Sequence, residues 1–170
     1  IARNGNVVGL SHHTCHANSS GTFFAVLLDR KDAAVAAWQE KLDNAARVCG
    51  RALYTAGYWG PAAFDSIVYS HADGTRKLAA ATDINARHVM SVVPYALREK
   101  LGTDNACYFR FIARRRHQLP ESYAHLREIL GQDAFDPDSG IGAILLTPLR
   151  IQYGTEWRQP LRSAFLIVAP

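Results

Sequence analysis

The sequence has little cysteine, no long apolar run and no low-complexity stretch. Its three cysteines, Cys15, Cys49 and Cys107, lie far apart and form no C-x-x-C pair. An odd number of dispersed cysteines argues against a disulfide framework and favours reduced thiols, as in cytoplasmic proteins. No apolar run reaches the roughly 18 residues that a membrane-spanning helix needs. We therefore expect a cytoplasmic protein without a membrane partner.

The composition is that of a folded domain. The chain has 170 residues, of which 48% are hydrophobic and 20% are charged. This length suits one domain or a large subdomain, and the chain is too hydrophobic to be disordered. The net charge of +4 fits an anionic ligand such as a nucleotide and does not by itself indicate nucleic acid. Because the sequence begins with Ile1, close to a predicted strand, we expect a piece of a longer protein.

The first third of the chain predicts two strands followed by a long helix. Apolar runs predict strands at residues 7–10 and 23–28. Residues 31–55 predict a helix that Gly57 ends, because apolar residues recur at steps of three and four. The residues on this apolar helix face are Val35, Trp38, Leu42, Ala45, Cys49 and Leu53.

A β-hairpin is predicted next, and further elements follow it. Strands at residues 64–69 and 77–85 flank Asp73-Gly74, a strong turn signal. Helices are expected within residues 89–101 and at 120–130, and strands at 108–113, 141–149 and 164–169. A composition shift at residues 114–118 predicts a boundary between domains 1–113 and 114–170. The expected fold is α+β: a mostly antiparallel sheet with helices on one face, plus a small C-terminal extension.

The predicted hairpin gathers oxygen-bearing side chains. Asp83 and Asn85 are two residues apart, so they share a strand face. Counting outward from the turn places Asp65 opposite Thr82 or Asp83, with a one-residue bulge deciding which. Facing carboxylates repel each other, and a hard cation such as Mg²⁺ relieves that repulsion. Arg87 could bind a phosphate as a planar fork. Because Asp and Asn are also common in turns, a purely structural role stays open on spacing alone.

These motifs resemble a known enzyme family. The loop G-Y-W-G-P at residues 57–61, a strand beginning near Asp65, the hairpin, and T-D-I-N-A-R at residues 82–87 occur in that order. The arrangement resembles the C-terminal part of ATP-grasp enzymes in the carboxylate–amine (peptide) ligase branch, where the return strand ends in E-x-N and often in E-I-N-A-R. The resemblance covers roughly residues 1–95.

The resemblance implies a function and a set of site residues. Asp65, Asp83 and Asn85 would hold one or two Mg²⁺ ions on the phosphates of ATP. Asn85 and Arg87 would contact the nucleotide. Arg87 would also be a catalytic residue, because it would contact a phosphate or the acyl-phosphate intermediate. The chain would be the Mg-ATP-binding half of a ligase that joins a small carboxylate to an amine or peptide.

The sequence departs from the family pattern in two ways. Asp83 replaces the usual Glu, which is one methylene longer. The family's N-terminal half, with its Gly-rich loop, nucleotide-gripping lysines and adenine pocket, has no counterpart here. We therefore expect the isolated chain to be inactive without that half as its partner. The alternative hypothesis is a non-catalytic, ATP-grasp-like binding or interaction module.

Two other clusters offer competing hypotheses. Zinc could bind the soft ligands at residues 12–16, but no second ligand pair is evident. A basic run at residues 114–117 lies near aromatic residues, a combination that can bind nucleic acid. We interpret it as a solvated edge and expect no nucleic-acid partner. The residues of the possible zinc cluster are His12, His13, Cys15 and His16.

Overall fold

The structure is a computed structural model that describes residues 1–113 and 119–170. The described residues form two compact units. The first comprises Ile1–His12 and Lys31–Val93, and the second comprises His13–Arg30 and Pro94–Pro170. The composition shift at 114–118 lies outside the described residues. The division into domains 1–113 and 114–170 therefore stays a prediction.

Four α-helices and nine strands are present in the described part of the chain. A 3₁₀ turn, Gly131–Asp133, follows the last helix. In chain order the elements are β1 (Thr14–Ala17), β2 (Phe23–Leu28), α1 (Ala33–Ala36), α2 (Gln39–Thr55), β3 (Ala63–Ser70), β4 (Arg76–Asn85), α3 (Val92–Leu101), β5 (Ala106–Ala113), α4 (Tyr123–Leu130), β6 (Gly142–Leu145), β7 (Ile151–Tyr153), β8 (Glu156–Arg158) and β9 (Arg162–Ala169).

A five-stranded sheet forms the core of the second unit. Its strand order is β1-β2-β5-β9-β6, and every neighbouring pair is antiparallel. This arrangement confirms the predicted α+β class with a mostly antiparallel sheet. The sheet takes strands from both sides of the predicted boundary at residue 113. Its fully or nearly buried core residues are Val26, Leu28, Cys107, Phe109, Ala164, Leu166 and Val168.

The first unit contains the long helix, which is interrupted near its start. We predicted one helix over residues 31–55, but α1 ends at Ala36 and α2 begins at Gln39. Trp38 adopts φ −122° and ψ 2°, outside the helical region, and therefore separates the two. The predicted apolar face of α2 is half-buried, with Ala46 and Gly50 buried beside it.

The predicted strand at residues 7–10 does not form. A Cβ added to Gly50 would lie 2.5 Å from Val7 Cγ2, so the missing side chain of Gly50 lets this segment approach α2 closely. Packing on a helix therefore replaces the strand pairing that the apolar run indicates. Prediction also missed the short strand β1 and the β7–β8 hairpin.

Among the described residues, no helix is both long enough and apolar enough to cross a membrane.

Candidate metal-binding hairpin

The hairpin that carries the predicted site residues folds around a well-capped turn. His71 N donates to Thr75 O at 2.8 Å. Asp73 Oδ1 accepts from Thr75 Oγ1 at 2.5 Å and from Thr75 N at 2.8 Å. These hydrogen bonds hold the pKa of the Asp73 carboxyl below its ordinary value, and the bond from the Thr75 side chain has the largest effect. The Asp-Gly signal thus corresponds to a turn that stabilises an ionised aspartate.

The register of the hairpin places Asp65 opposite Asp83. Four steps along β4, from Asp83 to Ala79, correspond to two steps along β3, from Asp65 to Ile67. The register therefore shifts by two residues, and of the two partners left open for Asp65, Thr82 and Asp83, the structure selects Asp83. Ala81 lies in this irregular stretch with φ 59°, a left-handed conformation that non-glycine residues seldom adopt. Because the shift is an even number of residues, the alternation of faces is preserved.

A chain of hydrogen bonds links the three polar residues at the end of β4. Asn85 Nδ2 donates to Asp83 Oδ2 at 3.0 Å, and Arg87 Nη2 donates to Asn85 Oδ1 at 2.8 Å. Asp83 Oδ1 also accepts from Ile84 N at 2.9 Å. Strand alternation explains the contact between Asp83 and Asn85, since residues two apart share a face. The sequence-predicted Asp83 and Arg87 are therefore linked through Asn85, which contacts both.

Asp65 differs from the other site residues in its contacts. Thr82 Oγ1 donates to its backbone oxygen at 3.0 Å, but its carboxylate has no hydrogen bond or ion pair within the described part of the chain. The side chain is exposed and belongs to the same face as that of Asp83, because directly paired residues of a sheet share a face. Two like charges therefore face each other across this end of the hairpin, which costs stability.

The donor set of the hairpin suits a hard cation. Carboxylate and amide oxygens are ligands that Mg²⁺ accepts, and Mg²⁺ usually keeps several waters or phosphate oxygens in its shell. Asp65 and Asp83 supply two carboxylates and Asn85 supplies one amide oxygen. No group of three or more His, Cys, Asp or Glu in residues 1–113 and 119–170 is arranged to hold a metal ion. Any ion at the hairpin would therefore need ligands from substrate or solvent.

Arg87 lies where it could meet an anion beside these oxygens. Its side chain is exposed. Nη2 donates to Asn85 Oδ1 at 2.8 Å, and Nη1 donates to His88 O at 3.3 Å. These contacts fix one edge of the guanidinium relative to Asn85. Its planar fork is the group that proteins use for bidentate phosphate recognition. The nucleotide-binding and catalytic roles of Arg87 stay predictions.

The histidines and cysteine at residues 12–16 do not assemble into a zinc cluster within the described residues. His12 Nε2 instead contacts Asp43 Oδ1 at 2.5 Å, and both side chains are mostly buried. The ring of His16 packs at 5.8 Å, centroid to centroid, from that of Tyr108. These contacts explain the positions of the His12 and His16 side chains without a metal ion. Sequence reasoning missed the His12–Asp43 pair, although Asp43 lies next to Leu42 at the border of the apolar helix face.

Two basic residues outside the hairpin form ion pairs with exposed carboxylates. Arg150 contacts Glu121 at 3.1 Å, and Arg158 contacts Glu156 at 2.5 Å. The basic run at residues 114–117 lies outside the described residues, so its assignment as a solvated edge stays a prediction.

Comparison with known proteins gives no matching family model, no matching curated protein and no matching solved structure. The resemblance to ATP-grasp ligases therefore rests on the sequence alone, chiefly on the motifs at residues 57–65 and 82–87, and stays a prediction.

Proposed function

We propose that this chain supplies the Mg-ATP-binding half of an ATP-grasp ligase that forms an amide or peptide bond from a carboxylate and an amine. The observation that carries the proposal is the pairing of Asp65 with Asp83, followed by the hydrogen-bonded Asn85 at the end of β4 and Arg87 two residues beyond it. The carboxylate and amide oxygens that could bind a cation thus lie next to a guanidinium, in the order along the chain that the resemblance implies. The proposal assigns the enzyme to the cytoplasm, where thiols stay reduced.

The proposed reaction has two steps. In the first, a carboxylate oxygen of the substrate attacks the γ-phosphorus of ATP, and the bond to ADP breaks, which leaves an acyl-phosphate. In the second, the amine nitrogen attacks the acyl carbon, phosphate departs, and the nitrogen loses a proton to solvent. Both steps gather negative charge on phosphoryl oxygens, so catalysis depends on positioning and on charge neutralisation.

Each hairpin residue has a stated role in this chemistry. Asp65, Asp83 and Asn85 would hold Mg²⁺, which neutralises phosphate charge when it is bound. Arg87 would bind a phosphate or the acyl-phosphate with its fork. The shorter side chain of Asp83, where the family has Glu, reaches one methylene less far. The hydrogen bond from Asn85 Nδ2 orients the Asp83 carboxylate.

A second candidate function is a non-catalytic interaction module. Large apolar side chains on the hairpin are exposed to solvent: Ile67 by 55%, Tyr69 by 44% and Ile84 by 46%. Exposed apolar groups of this size are common where another protein surface binds. Such a module would need neither the cation nor the phosphate contact, so cation binding separates the two candidates.

Titration of the full 170-residue chain with Mn²⁺, a paramagnetic substitute for Mg²⁺, tests the proposal. Paramagnetic broadening in amide NMR spectra should appear first at Asp65, Asp83 and Asn85, because relaxation falls steeply with distance from the ion. Asp65→Asn and Asp83→Asn should each abolish this selective broadening, since each removes one of the two anionic ligands. Asp73→Asn, in the turn of the same hairpin, is the matched control and should leave it unchanged.

ATP provides the complementary measurement. Calorimetry should show weak or no ATP binding to this chain alone, and no hydrolysis, because the adenine pocket and lysines of the other half are absent from the 170 residues. Broadening that spreads evenly over surface carboxylates, or that survives both Asp65→Asn and Asp83→Asn, would leave the interaction module as the better explanation. Tight ATP binding would contradict the half-site interpretation.

A further inference from the structure

The second unit contains an apolar cleft between α4 and β6. Its volume is about 330 Å³, which lies at the lower end of the range for small-molecule sites. Leu126 and Leu130 of α4, Phe135 of the following loop and Ile144 of β6 form its apolar walls. Tyr123 and Arg127, both exposed, also line the cleft. The cleft therefore combines a hydrocarbon lining with one cation.

Local sequence signals build this cleft. Ser122 caps α4 by accepting a hydrogen bond from His125 N, and Gly131, with φ 53°, follows the last helical residue. Phe135 N then donates to Ala143 O at 3.1 Å, which fixes the loop along β6. Gly142 is required here, because a Cβ at this position would lie 2.6 Å from Ala134 O. The two walls are thus held by backbone contacts.

The cation at the cleft has no partner within the described residues. The guanidinium of Arg127 makes no hydrogen bond and no ion pair to any residue in 1–113 or 119–170, whereas Arg30, Arg150 and Arg158 each contact a carboxylate. A guanidinium beside an apolar lining favours a ligand that has one anionic end and a hydrocarbon body.

We propose that this cleft binds a monocarboxylate with a short hydrocarbon tail. The carboxylate pairs with the Arg127 guanidinium, and the tail lies against Leu126, Leu130, Phe135 and Ile144. A cationic amphiphile would meet like charge at Arg127. The inference concerns the second unit and does not depend on the proposed function of the hairpin.

A homologous series of ligands tests the two parts of the proposal. Calorimetry on the full chain should show that affinity rises from butanoate to hexanoate to octanoate, by about fourfold for each methylene that is buried. Octylamine, with the same tail and opposite charge, should not bind measurably. In methyl NMR spectra octanoate should shift the signals of Leu126 and Ile144 and leave that of Val26, in the core of the five-stranded sheet, unchanged.

Variants at Arg127 separate an effect of its charge on binding from an effect on folding. Arg127→Met keeps the aliphatic stem and should weaken octanoate binding by at least about tenfold, because a charge-assisted hydrogen bond is lost. Arg127→Lys should restore most of the affinity. Arg162→Gln removes an exposed cation from β9 of the same unit and should bind as wild type. Equal binding of octanoate and octylamine, a flat series, or unchanged affinity in Arg127→Met would each overturn the proposal.

Discussion

The β3–β4 hairpin and the five-stranded sheet are both antiparallel, yet they differ in how much of each strand is buried. In β9, residues Ser163 to Leu166 and Val168 are buried, whereas no residue of β3 is buried. The sheet buries apolar side chains on strands drawn from distant parts of the chain, and this burial is the main source of stability. The hairpin instead keeps carboxylates, an amide and a guanidinium in solvent.

This contrast indicates that the sheet mainly stabilises the fold, whereas the hairpin presents polar groups to solvent. A two-stranded ribbon is marginally stable by itself, so the hairpin depends on its packing within the first unit. Exposed polar groups on a supported scaffold are available for ligands, which buried strands are not. Substitutions in the sheet should therefore change stability, and, under the proposed function, substitutions at the hairpin end should change cation binding and catalysis.

The largest effect on stability should come from the sheet. Leu166→Ala removes a side chain that is 0% exposed and should lower the free energy of unfolding by about 2–5 kcal/mol. Ile67→Ala in β3 is the matched test, because Ile67 is 55% exposed and its loss should cost less than about 1 kcal/mol. Urea denaturation followed through amide signals of β9 and β4 measures both. Equal losses for the two variants would remove the distinction between the regions.

The largest effect on activity should come from the hairpin. In an enzyme that joins this chain to its predicted N-terminal half, Asp83→Ala or Asn85→Ala should lower the ligation rate about a hundredfold or more. Each substitution removes a group that stabilises charge developing on the phosphoryl group. Arg87→Lys should also be harmful, because an ammonium lacks the bidentate geometry of a guanidinium.

Steady-state rates and thermal melts of these variants provide the measurement, with Arg76→Ala at the far end of β4 as the control. The melting temperatures should stay close to that of the wild type. Full ligation activity in both Asp83→Ala and Asn85→Ala would show that the hairpin is not the catalytic metal site.

A smaller effect should follow from the facing carboxylates. Asp65→Asn removes one of two like charges on a paired position and should raise the metal-free stability by about 0.2–1 kcal/mol. Millimolar Mg²⁺ should stabilise the wild type more than the variant. Glu128→Gln, an exposed charge change on α4, controls for net charge. If Asp65→Asn were destabilising without metal, repulsion would not be the dominant interaction at this pair.

The smallest effect concerns the turn and pH. Hydrogen bonds from Thr75 lower the folded-state pKa of Asp73, so this carboxylate binds its proton less readily in the folded chain. Its contribution to stability is present above the ordinary aspartate pKa of about 3.9 and is lost as pH falls through the lower folded value.

The amide shift of Thr75 in an NMR titration should report this midpoint, and Asp73→Asn should abolish the transition. The pKa of Asp136 is also lowered, chiefly by a hydrogen bond from the Ser139 side chain. Its titration midpoint should therefore also lie below the ordinary aspartate value. A midpoint at or above the ordinary value for Asp73 would contradict the observed turn hydrogen bonds.

Local sequence signals predicted the elements whose determinants are local. The Asp73-Gly74 signal predicted the hairpin, the apolar run predicted β2 with its observed bounds, and the period of Leu42 to Leu53 predicted a face of α2 that is half-buried. The face shared by Asp83 and Asn85 followed from strand alternation, and their hydrogen bond is consistent with it.

The missed features depend on partners that are distant in sequence. Val7 packs near Gly50 where a strand was predicted, and nothing within residues 7–10 signals that contact. Arg127 lines a cleft that α4 forms together with β6 and the intervening loop, a juxtaposition that periodicity does not contain. The chemical roles of Asp65, Asp83, Asn85 and Arg87 stay predictions.

The sequence by itself determined the α+β class, the hairpin and the candidate ligands Asp65, Asp83 and Asn85, because turn chemistry and side-chain periodicity act over a few residues. Only the tertiary structure decided the strand order β1-β2-β5-β9-β6 and the two-residue register shift at Ala81 that sets Asp65 opposite Asp83. Strand order depends on which apolar faces bury one another, and register depends on backbone pairing across the whole hairpin. Both are properties of the folded chain that no short segment encodes.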